Sequence, residues 1–366
     1  RGLDTPSNYR IMAVDHRSGQ SQWQVDEGVF GTWLGYSDQH DILLQATAKA
    51  SDRLIDESGQ GMRVYNAGDG SLRWAKDDLE YSGPCVLHND LIITNANSYS
   101  VSAGAFDIRT GNQWLIKNSI TGQLEPWKMT RAYGCNSIIA SENMLTFRSG
   151  AAGYYDLLND SGTGNLGGFR SGCTSNLIAA DGVLNAPDYT RTCSCSYQNQ
   201  TSLALVPMPD VETWNVHPFV TGDISMPTFI DALGINFGAP GDRRDQDGTL
   251  WVEHPTVSGD ALPLAIEVAG QAEPFLQHSS RFDNAANDWV YASGLNNVQR
   301  LSVELMLQPT SSAEDAVTDS GDKRTPAESG AADLAADAPA QPHSAAAKYD
   351  VELYFAAPRA QPKGTN

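Results

Sequence analysis

Short β-branched and aromatic runs, alternating with polar positions at a period of two, recur along residues 1–218 and are separated by turn-forming residues. Among them are DILLQA (Asp41 to Ala46), DLIITNA (Asp90 to Ala96), SIIASENMLTF (Ser137 to Phe147) and NLIAADGVLNA (Asn176 to Ala186). Runs of this length bounded by turns predict strands, not helices. The pairs Asn89-Asp90, Glu142-Asn143 and Asp181-Gly182 stand where tight turns are expected. No long segment has a 3.6-residue period, which disfavours helical and leucine-rich solenoids.

One motif repeats within this pattern. AVDHRSGQSQW (Ala13 to Trp23) and VYNAGDGSLRW (Val64 to Trp74) share the spacing of Asp15 or Asn66, Gly19 or Gly70, and a closing Trp. AFDIRTGNQW (Ala105 to Trp114) is one residue shorter, and Ala204 to Trp214 is a degraded copy. The tryptophans are 51, 40 and 100 residues apart, so a unit near Tyr154-Tyr155-Asp156 has lost its own. Each copy predicts a hairpin whose second strand opens with a ring that packs on the neighbouring unit, making Trp23, Trp74, Trp114 and Trp214 structural blade-docking residues. Four short antiparallel strands per unit is the arithmetic of a β-propeller blade, and the expected fold class is all-β.

The A-x-D-x-x-T/S-G-x-x-x-W repeat resembles the tryptophan-docking motif of pyrroloquinoline-quinone-like β-propellers. That family includes quinoprotein alcohol dehydrogenases and the non-enzymatic outer-membrane assembly lipoprotein. Phe147 to Val206 also resembles a subgroup found in large secreted proteins of planctomycete-type bacteria. The likeness covers residues 1–218 and implies four to five blades of a partial ring. It is specific for the fold and much less so for function.

After Trp214 the pattern changes. Residues 219–233 read as a Pro-interrupted connector. INFGAPGDRRDQDGTLWVEHP, from Ile235, together with YDVELYFAAP, from Tyr349, is similar to malectin-like carbohydrate-binding jelly rolls, in which a Gly-rich loop and aromatic residues border a sugar site. Residues 234–308 are therefore expected to open a β-sandwich and 349–366 to supply a strand and tail. Residues 309–348, rich in Ala, Pro and acidic residues and without an aromatic, read as a disordered insertion.

The chain has 24 Lys and Arg against 44 Asp and Glu, a net charge of −20. Such a surface repels phosphate backbones, and the basic residues form no patch, so nucleic acid is excluded as a partner. No run is long and apolar enough to predict a membrane-spanning helix. The sequence opens on Arg1 without an export signal, which reads as a fragment or a processed chain. The five cysteines, Cys85, Cys135, Cys173, Cys193 and Cys195, show no C-x-x-C spacing. Three lie within 23 residues, so a local disulfide in a periplasmic or extracellular setting is expected, with all five as candidates.

Loop residues are the first place to seek chemistry. Arg170, Asn176, Asn185, Asp188, Tyr189, Arg191, Tyr197 and Gln198 concentrate donors and acceptors that could fix a polar ligand at a ring face, although polar turn residues also satisfy their own backbone. Trp251 and Tyr291 are candidates for stacking on carbohydrate, with core packing as the ordinary alternative. The loop from Asp242 to Gly248 has alternating carboxylates, but its register does not match a calcium loop; it reads as a turn with Arg/Asp pairing. The seven histidines show no zinc-binding spacing, no metal site is expected, and nucleophile-elbow and P-loop motifs are absent.

Two functions follow from the resemblance and the residues together. The first is a non-catalytic secreted or periplasmic propeller that binds proteins or glycans, with carbohydrate taken by the C-terminal module and no cofactor predicted. The second is a quinone-dependent dehydrogenase, which would require pyrroloquinoline quinone and calcium. No residue here matches that family's base or metal ligands individually, and Cys193 and Cys195 are separated by Ser194 where the family has an adjacent pair.

Overall fold

A computed structural model of the chain describes residues 9–50, 54–55, 57–97, 101–160, 162–172, 176–187, 196–197, 202–208, 212–216, 230–257, 262, 264–282 and 287–304. Strands dominate, and they form a series of small sheets in chain order. The first sheet is the hairpin of β1 (Ile11–Val14) and β2 (Ser21–Val25). The second has four sequential antiparallel strands, β3 (Trp33–Ser37), β4 (Ile42–Ala46), β5 (Gln60–Asn66) and β6 (Leu72–Glu80). In the third, β7 (Ser82–His88), β8 (Leu91–Asn95) and β9 (Ala103–Asp107) are followed by a hairpin excursion, β10 (Leu115–Lys117) and β11 (Leu124–Pro126). The outer place beside β9 is then resumed by β12 (Lys128–Met129).

The fourth sheet contains β13 (Ile139–Ala140), β14 (Met144–Ser149), β15 (Ala151–Asp156) and β16 (Thr163–Asn165). The fifth contains β17 (Ile178–Ala180), β18 (Val183–Ala186) and β19 (Leu203–Leu205). β20 (Asn215–Val216) returns to pair with β16. The result is an all-β, propeller-like series of small antiparallel sheets, four-stranded in the second and third and extended to five strands by β20 in the fourth.

Local chemistry shapes each outer hairpin. Asp15 Oδ1 accepts from the backbone N–H groups of Arg17 and Ser18, while the Gly19 N–H bonds the Asp15 carbonyl at 2.8 Å. Gly19 closes that loop at φ +70, a conformation that Gly adopts without the Cβ penalty. Asp107 and Gly111 repeat the arrangement in the third sheet, and Asn118 and Gly122 repeat it in the β10–β11 hairpin. In the fourth sheet Asp156 caps the turn and Asp160, at φ +49, stands in the glycine place.

The turns of the second, third and fourth sheets each receive a ring from the sheet before. Trp23 Nε1 donates to the Ala67 carbonyl at 2.8 Å and its ring covers Gly70, where a Cβ would come within 2.6 Å of the indole. Trp74 Nε1 donates to the Ile108 carbonyl at 3.0 Å and its ring covers Gly111. Trp114 behaves differently. It pairs by backbone with Ala105 as the repeat requires, yet its side chain is 41% exposed. The β10–β11 excursion starts at the next residue, and the docking place passes to Trp127, which is 5% exposed and donates to Asp160 at 3.0 Å.

The fourth sheet has no docking indole. Its register sets Gly164 opposite Tyr154, as Trp74 stands opposite Val64, and the Tyr154 ring lies across Gly164. Trp214 is not the close of a fifth hairpin either. Pro207 lacks the N–H that a continuing strand would donate, and β20 joins β16 in place of pairing with β19.

Cores lie between successive sheets. Ile42, Leu44, Met62 and Val64 pack with Cys85, Ile92, Phe106 and Ile108 between the second and third sheets. Ile93, Ala105, Trp127 and Met129 meet Leu145, Phe147 and Tyr155 between the third and fourth. Phe169, Leu177 and Ala186 form a smaller core toward the fifth. Cys85 and Cys135 are both free thiols, which corrects their place among the disulfide candidates; Cys85 sits in the first of these cores, 3% exposed. Cys173, Cys193 and Cys195 lie outside the described residues.

Beyond β20 the described part of the C-terminal region contains a small mixed sheet and a long hairpin. β21 (Gly234–Phe237) runs parallel to β23 (Leu250–His254), and β22 (Arg243–Arg244) pairs with β23 from the other side. β24 (Ala265–Leu276) and β25 (Ser293–Glu304) form the hairpin, joined through the short helix α1 (Asp288–Tyr291). The β10–β11 excursion enters this region: Ile120, at its tip, is 1% exposed among Ile230, Leu250, Val252 and Leu262. The Ile120 carbonyl accepts from Asp231 N at 2.6 Å. The expected 309–348 insertion and the 349–366 strand lie outside the described residues.

Candidate functional site

Sequential antiparallel strands place the connections between second and third strands, and the crossovers between sheets, at one end of the sheets. The Asp/Gly turns and docking rings lie at the other. At the crossover end the second strands of three sheets close on a buried polar residue: Gln45 at 0% exposure, Asn95 at 2% and Arg148 at 2%. Each ties down an incoming loop. Gln45 Nε2 donates to the Gly28 carbonyl at 3.0 Å, and Asn95 Nδ2 donates to the Gly83 carbonyl at 3.2 Å. Arg148 donates through Nε to the Gly150 carbonyl at 3.0 Å and lies over the Tyr133 ring, with 5.0 Å to its centroid.

Polar contacts then run from sheet to sheet. Arg131 Nε donates to the Ala96 carbonyl of the third sheet at 3.0 Å, and its Nη1 donates to Asn136 Oδ1 at 3.3 Å in the crossover to the fourth. Asn136 Nδ2 donates to Ser171 Oγ at 2.5 Å, in the crossover to the fifth. Arg170 is fully buried and donates to the carbonyls of Ser196 and Ser171 at 3.0 and 3.1 Å. Guanidinium groups spent on carbonyls hold loops that would otherwise bury unpaired acceptors.

The polar ligand-binding candidates divide accordingly. Arg170 is part of this buried lattice and adjoins the segment of Tyr197, which is 54% exposed with φ +63. Asn176 is half-buried, and its Oδ1 has no hydrogen-bond partner. Asn185 is exposed on β18, with its Nδ2 3.4 Å from the Ile178 carbonyl. Asp188, Tyr189, Arg191 and Gln198 lie outside the described residues.

Between the second and third sheets the same end holds a cavity of about 560 Å³, lined by Lys49, Ile55, Tyr81, Asn97 and Val101 among others. Its floor is fixed: Tyr81 Oη donates to the Gly61 carbonyl at 2.7 Å and accepts from Thr47 N at 2.8 Å. Burial, reinforced by Cys85, pushes the Tyr81 phenol far above its ordinary pKa, so it stays a neutral donor. The lining is mixed, with Lys49, Gln60, Glu80 and Ser82 beside Ile55, which is 67% exposed; Leu54, its chain neighbour outside the lining, is 46% exposed. Tyr133 and Val101 are exposed at this end as well.

In the C-terminal region Trp214, Trp251, Trp289, Val290 and Tyr291 cluster. Trp251 is 8% exposed: the Gly234 backbone lies against its ring and its Nε1 donates to Asp245 Oδ2 at 2.9 Å. That covers the face a stacked sugar would need. Tyr291 is half-buried at the edge of the same cluster. Trp214 and Trp289 meet edge to face at 5.9 Å, with Arg243 over both rings at 5.6 and 4.7 Å.

The aspartates of the 242–248 loop do not pair with its arginines. Asp242 Oδ1 accepts from Glu253 N, and Asp245 Oδ1 accepts from Asp247 N and Thr249 N. Among the described residues no three His, Cys, Asp or Glu side chains gather so as to hold a metal ion.

No family model and no curated protein matches the chain. Solved structures with a likeness include the crystal structure of BamB from Moraxella catarrhalis, 18% identical with a TM-score of 0.29 over 46% of this chain and 58% of that one. The computationally designed Ika8 protein is 13% identical with a TM-score of 0.30, over 54% of this chain and 52% of that one. The designed Ika4 protein is 13% identical with a TM-score of 0.27, over 47% and 88%. The matches thus span little more than half the length of the first two proteins.

Motif spacing misses three features of the site. Trp127 has no Asp/Gly turn at the expected distance before it. Arg131 and Arg148 belong to loops and strand ends that carry no repeat. Ile55 lies in a long second-to-third connection whose only signal is an apolar pair, Leu54-Ile55, within a polar stretch.

Proposed function

We propose that this protein is a binding platform working outside the cytoplasm, whose propeller-like sheets hold the crossover-end loops rigid for a protein partner. The observation that carries this reading is the set of large apolar side chains exposed on the crossover-end loops, Leu54, Ile55, Val101, Tyr133 and Tyr197, two of which, Ile55 and Val101, line the mixed polar and apolar cavity over Tyr81. Exposed large apolar side chains on anchored loops are the ordinary material of a protein interface. The buried Arg131, Asn136 and Arg170 contacts support the reading, because loops ordered in advance lose less entropy on association. The grouping of Cys173, Cys193 and Cys195 in one segment supports an oxidising setting.

Site-specific photo-crosslinking in the native host tests it. A photoreactive residue at position 55 or 133 should trap one recurrent protein, and the same residue at Leu158, exposed on the turn of the opposite end, should not. Equal trapping from both ends, or none from positions 55 and 133, overturns the assignment.

A further inference from the structure

In the 242–248 loop Asp242 and Asp245 spend their carboxylates on backbone and indole N–H groups, and this leaves guanidinium capacity over. Arg243 Nη1 and Arg244 Nε are buried atoms with no hydrogen-bond partner, and so is Asp288 Oδ1 at the start of α1. All three residues line one cavity of about 360 Å³, together with Ser279, Asn287 and Trp289. Gln246, exposed, stands at its rim. Buried polar atoms are almost always paired in folded proteins, so three residues that line one cavity and each keep an unspent atom specify what would complete them.

The complement follows from the inventory. Two cationic N–H donors ask for acceptor oxygens, and a planar guanidinium fork suits a carboxylate. One carboxylate acceptor asks for a hydroxyl hydrogen. Trp289 adds an apolar wall, and Arg243 is held in place over the Trp214 and Trp289 rings. The nearby Glu212 is already engaged, accepting from Ser279 N at 2.7 Å, and Asp245 is spent on its loop and Trp251.

We propose that this cavity binds a small hydroxycarboxylate, its acid group on Arg243 and Arg244 and a neighbouring hydroxyl on Asp288. The site is separate from the crossover end and does not depend on a protein partner there. Open-chain and ring-closed sugar acids share this chemistry, and the test separates them.

The full chain is titrated calorimetrically with D-gluconate, D-glucuronate, D-glucitol and acetate, each up to about 10 mM, beyond the weak end of specific binding. One or both sugar acids should bind, with glucitol and acetate weaker by about tenfold or more, the size of a lost charge-assisted hydrogen bond. Stronger binding by gluconate identifies the open-chain source, and stronger binding by glucuronate the ring-closed one. Arg244→Gln should bring the acids down to the glucitol level, and Asp288→Asn should narrow their advantage over acetate. Should Arg244→Gln fail to fold, Arg244→Lys, which keeps the charge but not the fork, replaces it. No binding of either acid by the folded protein overturns the proposal. So does glucitol binding as tightly as gluconate, or an Arg244 variant with wild-type melting and undiminished affinity.

Discussion

Trp127 donates its indole N–H to the Asp160 carboxylate at 3.0 Å, holding the docking place that the repeat spacing gives to Trp114. Tyr155, whose ring meets Trp127 edge-on at 5.4 Å, donates its hydroxyl to the same oxygen. Pairing and docking, which Trp74 performs together, are thus divided between two residues on either side of the β10–β11 excursion. Trp127→Ala should cost about 3–5 kcal/mol, as for a large aromatic removed from a core. Trp114→Ala should cost under about 1 kcal/mol. Urea denaturation of the two variants checks the ranking, and comparable losses would refute the exchange.

The docking turns make a second contrast. Gly111 and Gly182 both have positive φ, at +71 and +75, so alanine is strained at either. Only Gly111 is also covered, with a Cβ placed 2.9 Å from the Trp74 ring, whereas Gly182 faces open space. Gly111→Ala should destabilise by at least about 1 kcal/mol more than Gly182→Ala. Thermal melts of both variants decide it.

Acid should single out the capping aspartates. Burial works against ionised Asp107, but hydrogen bonds from Thr110 and Arg109 outweigh it and hold the carboxyl below its ordinary value. A carboxyl lowered in the folded state contributes stability that is present above its unfolded pKa and lost as pH falls through the folded one. Asp107→Asn, which keeps an acceptor as Asn118 does, should therefore be slightly destabilising at pH 7. The deficit should fade as pH drops below about 4, the unfolded carboxylate value. A deficit that persists unchanged at acid pH would count against the assignment.

The two free thiols should differ in reactivity. Cys85 is 3% exposed and burial pushes its thiol up to about 12, so almost no thiolate forms near neutrality. Cys135 is partly exposed, with its sulfur 3.1 Å from the Tyr133 hydroxyl. Iodoacetamide should label Cys135 in the folded protein and Cys85 only after unfolding, read by peptide mass spectrometry. Equal early labelling would contradict the buried placement.

The turn chemistry, the strands and the lost tryptophan near Tyr154 were legible because they are local: Asp15, Gly19 and Trp23 specify one hairpin within eleven residues. The displacement of Trp114 was not, because Asn118-x-x-Thr121-Gly122 builds an added hairpin from the same turn chemistry, and spacing alone cannot tell a new repeat from an excursion. The destination of Trp214 depends on β20 finding β16 some fifty residues back, a pairing that no local pattern encodes. Arg170 announced itself as polar, but burial decides whether a guanidinium serves a ligand or the backbone, and here the carbonyls of Ser171 and Ser196 take it. The 242–248 loop was expected to neutralise itself, and its aspartates turned to the backbone instead.

Every docking ring leans forward along the chain: Trp23 onto the second sheet, Trp74 onto the third and Trp127 onto the fourth. Like a row of bricks with a tongue on one side and a groove on the other, such a series has unlike ends. At its head the Gly19 turn has no described atom within 4 Å of a Cβ, where Gly70 and Gly111 each seat an indole. At the fourth sheet Gly164 and the Tyr154 ring over it leave no tongue to offer the fifth. Engineered lengthening is therefore directional. A blade grafted ahead of β1 would dock on the Gly19 turn through a correctly spaced Trp, whereas docking the fifth sheet in the same way needs an indole restored at position 164 and Tyr154 cleared from its path.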